Sequence, residues 1–64
     1  MTDIYRKLTQ KLKDSNFVFW REGKGSHEIW VNIDTNVKVS VPKNTKSKHT
    51  ANGVLKSAGI DDKI

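Results

Sequence analysis

The sequence predicts an α+β domain in the order α-β-β-β-α, with two helices packed on one face of a three-stranded antiparallel sheet. Apolar residues recur at helical spacing near both ends of the chain, and three runs of strand-forming residues lie between them. Short turn-forming segments join these runs, and connections of that length allow only antiparallel pairing. With 64 residues, the whole chain, 1–64, is expected to form a single domain.

The first helix is predicted over residues 3–14. Its apolar positions recur every four residues and form one stripe, Ile4, Leu8 and Leu12. Thr2 or Asp3 can cap the helix, because a side-chain oxygen at that position accepts a hydrogen bond from a free backbone N–H. The turn formers at 14–16 end the pattern.

The three strands are predicted over residues 17–22, 27–33 and 37–41. These segments are rich in aromatic and β-branched residues, which favour extended backbone. The connection at 23–26 contains two glycines and predicts a hairpin turn. Pro42 is expected to end the third strand, because proline has no N–H to donate to a sheet.

Alternation along the strands predicts which side chains face the helices. The predicted core face consists of Phe17, Phe19, Ile29, Val31, Ile33, Val37, Val39 and Val41. His27 has the parity of Ile29, so its ring is expected on the helix side, at the rim of the core. The opposite face is predicted to carry Val18, Trp20 and Trp30, with the two tryptophans as cross-strand neighbours.

A second helix is predicted over residues 50–58, after a lysine-rich loop at 43–49 and with Thr50 as its N-cap. Its apolar face consists of Ala51, Val54, Leu55 and Ala58. Gly59 followed by Ile60 predicts a left-handed helix stop with a trailing hydrophobic contact. The resulting architecture is similar to the double-stranded-RNA-binding domain, although a fold alone does not give a function.

The composition narrows the classes of function. Twelve lysines and arginines against seven carboxylates give a net charge of +5, which favours a polyanionic partner or simply a soluble basic domain. The absence of cysteine excludes disulfides and zinc–thiolate sites. The two histidines and the scattered carboxylates show no metal-ligand spacing, so no metal or other cofactor is expected. No long apolar segment and no signal-peptide core is present, so no membrane association and a cytoplasmic location are expected.

The triplet Gly25-Ser26-His27 is the main candidate for chemistry. Histidine has an ordinary pKa suited to proton transfer near neutral pH. RNA carries its own nucleophile, the 2′-hydroxyl, so a single histidine acting as general base is enough for cleavage. The residues alone favour a histidine beside a turn whose ring is satisfied by a backbone carbonyl. Catalysis by His27 is the alternative.

Further residues are candidates for binding RNA. The lysines of the hairpin turn and of the loop before the second helix are Lys24, Lys43, Lys46 and Lys48. Such lysines can bind phosphate and offset charge in a transition state, and for any single one a solvated loop lysine is an equally good interpretation. Gly25 and Ser26 can let a phosphate approach the backbone closely.

Two other features each have two interpretations. His49 is a second acid or base for the leaving 5′-oxygen, or a solvated residue before a helix, and the second interpretation is favoured. The exposed set Val18, Trp20 and Trp30 marks a protein partner surface or a platform for base stacking. Because His27 is expected on the other face, a protein partner is favoured for this set.

Three segments of the chain resemble the HicA-type toxins. The first is the run from Arg21 to Trp30, which contains Gly25-Ser26-His27. The second is Val39-Ser40-Val41-Pro42 at the end of the third strand, and the third runs from Lys48 through Leu55-Lys56-Ser57-Ala58-Gly59-Ile60. Many members of that family carry a histidine or another basic residue after Val-Pro, where this chain has Lys43.

The resemblance implies an mRNA-cleaving ribonuclease of a bacterial toxin–antitoxin module, with a fold similar to the double-stranded-RNA-binding domain. It implies that His27 is the active histidine and that a HicB-type antitoxin blocks the toxin. The rival hypothesis is a non-catalytic RNA-binding domain of the same fold, in which His27 only contacts the RNA. A DNA-binding protein is disfavoured, because the sequence shows no recognition helix.

Overall fold

The computed structural model describes residues 2–64, and its elements follow the predicted order. They are α1 (Asp3–Asp14), β1 (Phe17–Glu22), β2 (His27–Asn32), β3 (Lys38–Pro42) and α2 (Lys48–Ser57). The strands form one antiparallel sheet in the order β1-β2-β3, so β2 is the central strand. Both helices pack on one face of this sheet, and the predicted α-β-β-β-α fold is confirmed. We call the other face the open face.

The start of α1 is fixed by a cap and by a contact with a distant loop. The Thr2 hydroxyl accepts a hydrogen bond from the Tyr5 backbone N–H at 3.0 Å, so Thr2 is the cap, one of the two residues predicted for this position. The same hydroxyl donates to the carbonyl of Thr45 in the loop between β3 and α2. Thr45 is itself buried and donates to the Pro42 carbonyl at 2.6 Å. The loop that follows β3 is therefore attached to α1.

The second helix begins earlier than predicted. Ser47, in extended conformation, is the N-cap residue, and its carbonyl accepts from the Ala51 N–H at 3.0 Å. Thr50 lies inside the helix, so its prediction as the cap was wrong. Ser47 caps the helix through its backbone and makes no side-chain cap bond. Serine and threonine are both favoured at the N-cap, so residue type alone does not distinguish Ser47 from Thr50. Lys48 and His49 consequently lie in the first helical turn and not in a loop.

The end of α2 is the predicted left-handed stop. Gly59 has a φ of +76°, and its N–H donates to the Lys56 carbonyl at 3.0 Å. The Ile60 N–H donates to the Leu55 carbonyl at 2.9 Å, and the Ile60 side chain packs against the core. These are the two hydrogen bonds and the contact of a Schellman motif.

The core lies between the helices and the sheet. It consists of Tyr5, Leu8, Leu12, Phe17, Trp30, Val39, Val41, Ala51, Val54 and Leu55. The predicted parity of β1 and β3 is confirmed at Phe17, Val39 and Val41. Phe19 shares the helix side but is 48% exposed on the edge strand β1. Ile33 and Val37 were predicted in the core and are exposed, since they belong to the connection between β2 and β3.

The predicted parity of β2 was wrong by one residue. Trp30 is only 4% exposed and pairs with Phe19 and Val39, both on the helix side. Successive strand residues point to opposite faces, so His27 and Ile29 belong to the open face. The run Ile29-Trp30-Val31 is apolar throughout, so its sequence does not show which of its residues face the core. In the fold the largest of the three side chains, Trp30, is the buried one.

The pairing of β1 with β2 contains a β-bulge that the sequence pattern did not reveal. Phe19 pairs with Trp30 and Arg21 pairs with Ile29, which leaves Trp20 without a partner. The two tryptophans are therefore not cross-strand neighbours, as simple closure of the hairpin had predicted. An extra residue of this kind leaves the flanking pairs intact and changes the direction of the side chains that follow.

A hydrogen-bonded carboxylate lies under the sheet on the helix side. One oxygen of Glu28, Oε1, accepts from the Tyr5 hydroxyl at 2.6 Å and from Trp30 Nε1 at 3.1 Å. Burial raises the pKa of Tyr5 to about 12, and the hydrogen bond to Glu28 and the charges of Glu28 and Glu22 contribute in the same direction.

The raised pKa of Tyr5 predicts a loss of stability in alkali. The folded state retains the phenolic proton that the unfolded chain loses near pH 10, so the contribution of Tyr5 to stability is complete below pH 10 and is lost as the pH rises to about 12. Thermal unfolding of the natural chain and of Tyr5→Phe across this range measures the effect. Lysine titration is common to both proteins, and the additional loss should occur only in the natural chain. Equal pH dependence in the two would contradict the prediction.

Candidate functional site

The hairpin between β1 and β2 fixes the position of His27. The Gly23 N–H donates to the His27 carbonyl at 2.8 Å, and the His27 N–H donates to the Lys24 carbonyl at 3.3 Å. Gly25 has a φ of +64°, a conformation that glycine adopts without strain. The turn therefore holds the histidine backbone through two hydrogen bonds and makes it the first residue of β2.

Gly23 is closely packed against the strand that carries the histidine. A Cβ atom at this position would lie 3.0 Å from Cδ1 of Ile29 and 3.2 Å from the His27 carbonyl oxygen. A side chain here would require the Ile29 side chain and the His27 carbonyl to move by a few tenths of an ångström. The absence of a side chain at Gly23 thus lets the turn lie close to the start of β2.

The imidazole of His27 is exposed on the open face. Its Nδ1 atom lies 3.3 Å from the Ser40 hydroxyl of β3, and its backbone pairs with Pro42. The prediction that His27 points to the helix side was wrong, because it rested on the parity of Ile29. Ser40 was not predicted as a site residue, although its alternation with the buried Val39 and Val41 already placed it on the open face.

The loop after β3 lies against the hairpin turn. The Lys43 N–H donates to the Ser26 carbonyl at 2.8 Å, so Gly25-Ser26-His27 and Lys43 are neighbours. The Lys43 ammonium forms a salt bridge with Glu22 at 2.6 Å, and part of its charge is therefore engaged within the protein.

The other predicted RNA contacts are exposed. Lys24 lies in the turn beside His27, Lys46 lies in the loop, and Lys48 is the first residue of α2. Gly25 and Ser26 are also exposed, which leaves the backbone of the turn accessible.

His49 does not belong to the neighbourhood of His27. It lies in the first turn of α2 and lines a groove with Asn52, Lys56 and the C-terminal segment 59–63. His27 lies on the open face of the sheet, which the helices do not cover. The structure thus separates the two histidines onto different surfaces.

Two of the three residues predicted for a partner surface are exposed. Val18 and Trp20 are exposed by 42% and 48%, and both lie on the open face, whereas Trp30 is in the core. Trp30 was therefore wrongly assigned to a partner surface. The argument that His27 occupies the other face also fails, because His27 and Trp20 share the open face.

Two cations that were not predicted as site residues lie over the Trp20 ring. The Arg21 guanidinium is 4.8 Å and the Lys38 ammonium is 5.2 Å from the ring centroid. Regular alternation would have put Arg21 on the face opposite Trp20, so only the bulge reveals this pair. Lys38, by contrast, already had the parity of the open face.

Two further properties of residues 2–64 concern metals and membranes. No group of three or more histidine and carboxylate side chains in this part of the chain is arranged to hold a metal ion. Neither of its two helices has the length and apolar character needed to cross a bilayer.

Comparison with known proteins identifies the family. No curated protein and no solved structure gives a significant match to the chain. A family model described as the HicA toxin of bacterial toxin–antitoxin systems matches residues 5–60, which include the hairpin turn, the end of β3 and all of α2. The match extends over all five elements, apart from the first two residues of α1, and it includes His27 and the turn that holds it. The chain therefore belongs to the HicA family of toxins from bacterial toxin–antitoxin systems.

Proposed function

We propose that this toxin is an endoribonuclease that cleaves mRNA, with His27 as the general base. The observation that supports this most directly is the exposed imidazole of His27, held at the end of β2 by the glycine turn and beside Ser40. The exposed lysines of the turn, of the loop after β3 and of the start of α2, together with the net charge of +5, suit a polyanionic substrate.

The geometry suggests which nitrogen acts as the base. With its hydrogen on Nδ1, the ring can donate to the Ser40 oxygen at 3.3 Å, and Nε2 then carries the free lone pair. Nε2 takes the proton of the RNA 2′-hydroxyl, and the 2′-oxygen attacks the adjacent phosphorus. The bond to the 5′-oxygen breaks, and this oxygen takes a proton from solvent or from the histidinium. The products are a 2′,3′-cyclic phosphate and a 5′-hydroxyl, and the reaction needs no metal ion.

Lysines of the hairpin turn, of the loop after β3 and of the start of α2 supply charge for binding and for the transition state. Lys24, Lys46 and Lys48 are exposed and can contact phosphates, as can the backbone of Gly25 and Ser26. Lys43 lies next to Ser26 but is paired with Glu22, so it contributes only when the salt bridge opens. His49 is left out of the mechanism because it lies in the groove beside α2.

The proposed partners follow from the family and from the chemistry. Toxins of this family pair with an antitoxin, and we propose that the antitoxin here is of the HicB type. The proposed substrate is mRNA, and the activity is accordingly proposed to take place in the cytoplasm. The rival function is a non-catalytic RNA-binding domain, in which the same surface binds RNA without breaking it.

One experiment separates the two functions. The purified chain is incubated in EDTA with an end-labelled single-stranded RNA and, separately, with the 2′-O-methyl form of the same RNA. We expect fragments ending in a 2′,3′-cyclic phosphate from the first RNA and no fragments from the second, because methylation blocks the nucleophile. Binding of both RNAs without cleavage of either would instead establish the non-catalytic function.

A further inference from the structure

We propose that Trp20, Arg21 and Lys38 form a binding surface for a single-stranded segment of RNA, which continues from His27 across the open face. We call these three residues the Trp20 surface. The inference rests on the proposed function only in taking RNA as the ligand. It assigns a binding role to side chains outside the hairpin turn and outside the lysine loop.

The bulge in β1 is the first element of this argument. Trp20 has no partner in β2, and Arg21 pairs with Ile29 on the open face. Trp20 and Arg21 are consecutive in the chain, yet both side chains lie on this face. The Arg21 guanidinium carbon is 4.8 Å from the centroid of the Trp20 ring. Bulges are frequent beside active sites, where they redirect side chains. This one places an aromatic ring and a guanidinium side by side on the face that carries His27.

The contacts of Trp20 extend the surface across the sheet. Lys38 belongs to β3, and its ammonium lies 5.2 Å from the centroid of the Trp20 ring, so this contact bridges the central strand. Val31 of β2 pairs with Lys38 and lies four residues from His27, or about 14 Å along the strand. The surface and the histidine are thus joined by one continuous strip of sheet, which a short extended strand of RNA can follow.

The charges on the two faces of the sheet favour a polyanion on the open one. Among the described strand residues, those of the open face include Arg21, Lys38 and His27 and no carboxylate. The two glutamates of the sheet, Glu22 and Glu28, pair with each other on the helix side. Glu28 is held there by its two hydrogen bonds, and Glu22 by its salt bridge with Lys43.

The chemistry of the ring and its cations suits unpaired bases. Single-stranded RNA binds where bases stack on aromatic rings and phosphates meet basic side chains, and sheet surfaces with exposed aromatics are a recurrent form of such a site. Trp20 is 48% exposed despite its two cationic neighbours, so part of the ring is available for stacking. A protein partner would need carboxylates of its own placed against these two cations, whereas RNA brings a phosphate with every nucleotide.

The test measures the binding of RNA that cannot be cleaved. A fluorescently labelled, single-stranded 2′-O-methyl RNA is titrated with the natural chain and, separately, with its Trp20→Ala variant. We expect Trp20→Ala to weaken the affinity by about tenfold or more, which corresponds to the loss of one stacked base. Arg21→Ala and Lys38→Ala should each reduce the slope of log affinity against log salt by about 0.7 for each phosphate released.

Phe19→Ala is the matched control. Phe19 precedes Trp20 in the same strand and has the same 48% exposure, but it faces the helix side. Its replacement should leave the RNA affinity unchanged, and circular dichroism establishes that both variants are folded. Equal affinity of the natural chain and the folded Trp20→Ala variant would overturn the proposal.

Two other outcomes distinguish this proposal from a protein-binding surface and from the proposed ribonuclease activity. If Trp20→Ala releases a co-purified antitoxin but leaves RNA binding unchanged, the surface belongs to a protein and the proposal is wrong. If the natural chain binds the 2′-O-methyl RNA through Trp20 but cleaves no unmodified RNA, the Trp20 surface is supported and only the proposed ribonuclease activity fails.

Discussion

Replacement of His27 by alanine is expected to slow RNA cleavage by about 10²–10⁴-fold, the usual contribution of a general base. The ring is exposed and outside the core, and the turn holds the residue through its backbone, which alanine retains. The fold should therefore be unchanged. Cleavage of end-labelled RNA by equal amounts of folded protein measures the effect, and circular dichroism measures the fold.

His49→Ala is the control for the loss of an imidazole. His49 is also exposed, and it lies on α2 in the groove with the C-terminal segment. We expect its replacement to leave the cleavage rate at the natural level. A folded His27→Ala variant that cleaves RNA at the natural rate would remove His27 from the mechanism, whatever the behaviour of His49→Ala.

Replacement of Trp30 by alanine is expected to destabilise the protein by about 3–5 kcal/mol, the usual cost of emptying a buried tryptophan site. Trp30 is 4% exposed, contacts the Phe19 ring edge-to-face with centroids 6.3 Å apart, and donates to Glu28. Natural domains have free energies of unfolding of about 0.05–0.15 kcal/mol per residue. The variant of so short a chain should thus be largely unfolded or unfold at a much lower temperature.

Trp20→Ala is the matched control, because it removes the same side chain from an exposed site. Surface replacements usually change the free energy of unfolding by less than about 0.5 kcal/mol. Urea denaturation followed by circular dichroism gives the free energy of unfolding for both variants. Similar stabilities of Trp30→Ala and Trp20→Ala would contradict the enclosed position of Trp30.

The sequence predicted the elements well because their signals are local. The four-residue spacing of Ile4, Leu8 and Leu12 and the cap at Thr2 determine α1 within a single segment. The glycine at 59 marks the end of α2 in the same way. The start of α2 was missed because Ser47 and Thr50 are both favoured cap residues, and their residue types alone do not decide which of the two begins the helix.

The faces of β2 were harder to predict, because they depend on contacts between strands. An apolar run has no alternation to follow, and the bulge at Trp20 is a property of the pairing and not of β1 itself. His27 was correctly found as the first residue of β2, since the turn residues are local, but its direction was not. Alternation in β3 already put Ser40 and Lys38 on the open face, whereas Arg21 joins them only once the register of β1 and β2 is known.

The bulge also makes the loss of one particular residue of β1 harmless to the register. Trp20 is the extra residue, so its removal would leave Arg21 opposite Ile29 on the open face and Glu22 opposite Glu28 on the helix side. The charges of both faces would stay where they are, and the net charge of the chain would remain +5 because tryptophan is neutral. A one-residue shortening of β1 can therefore remove the aromatic ring of the Trp20 surface and preserve the positive charge beside it.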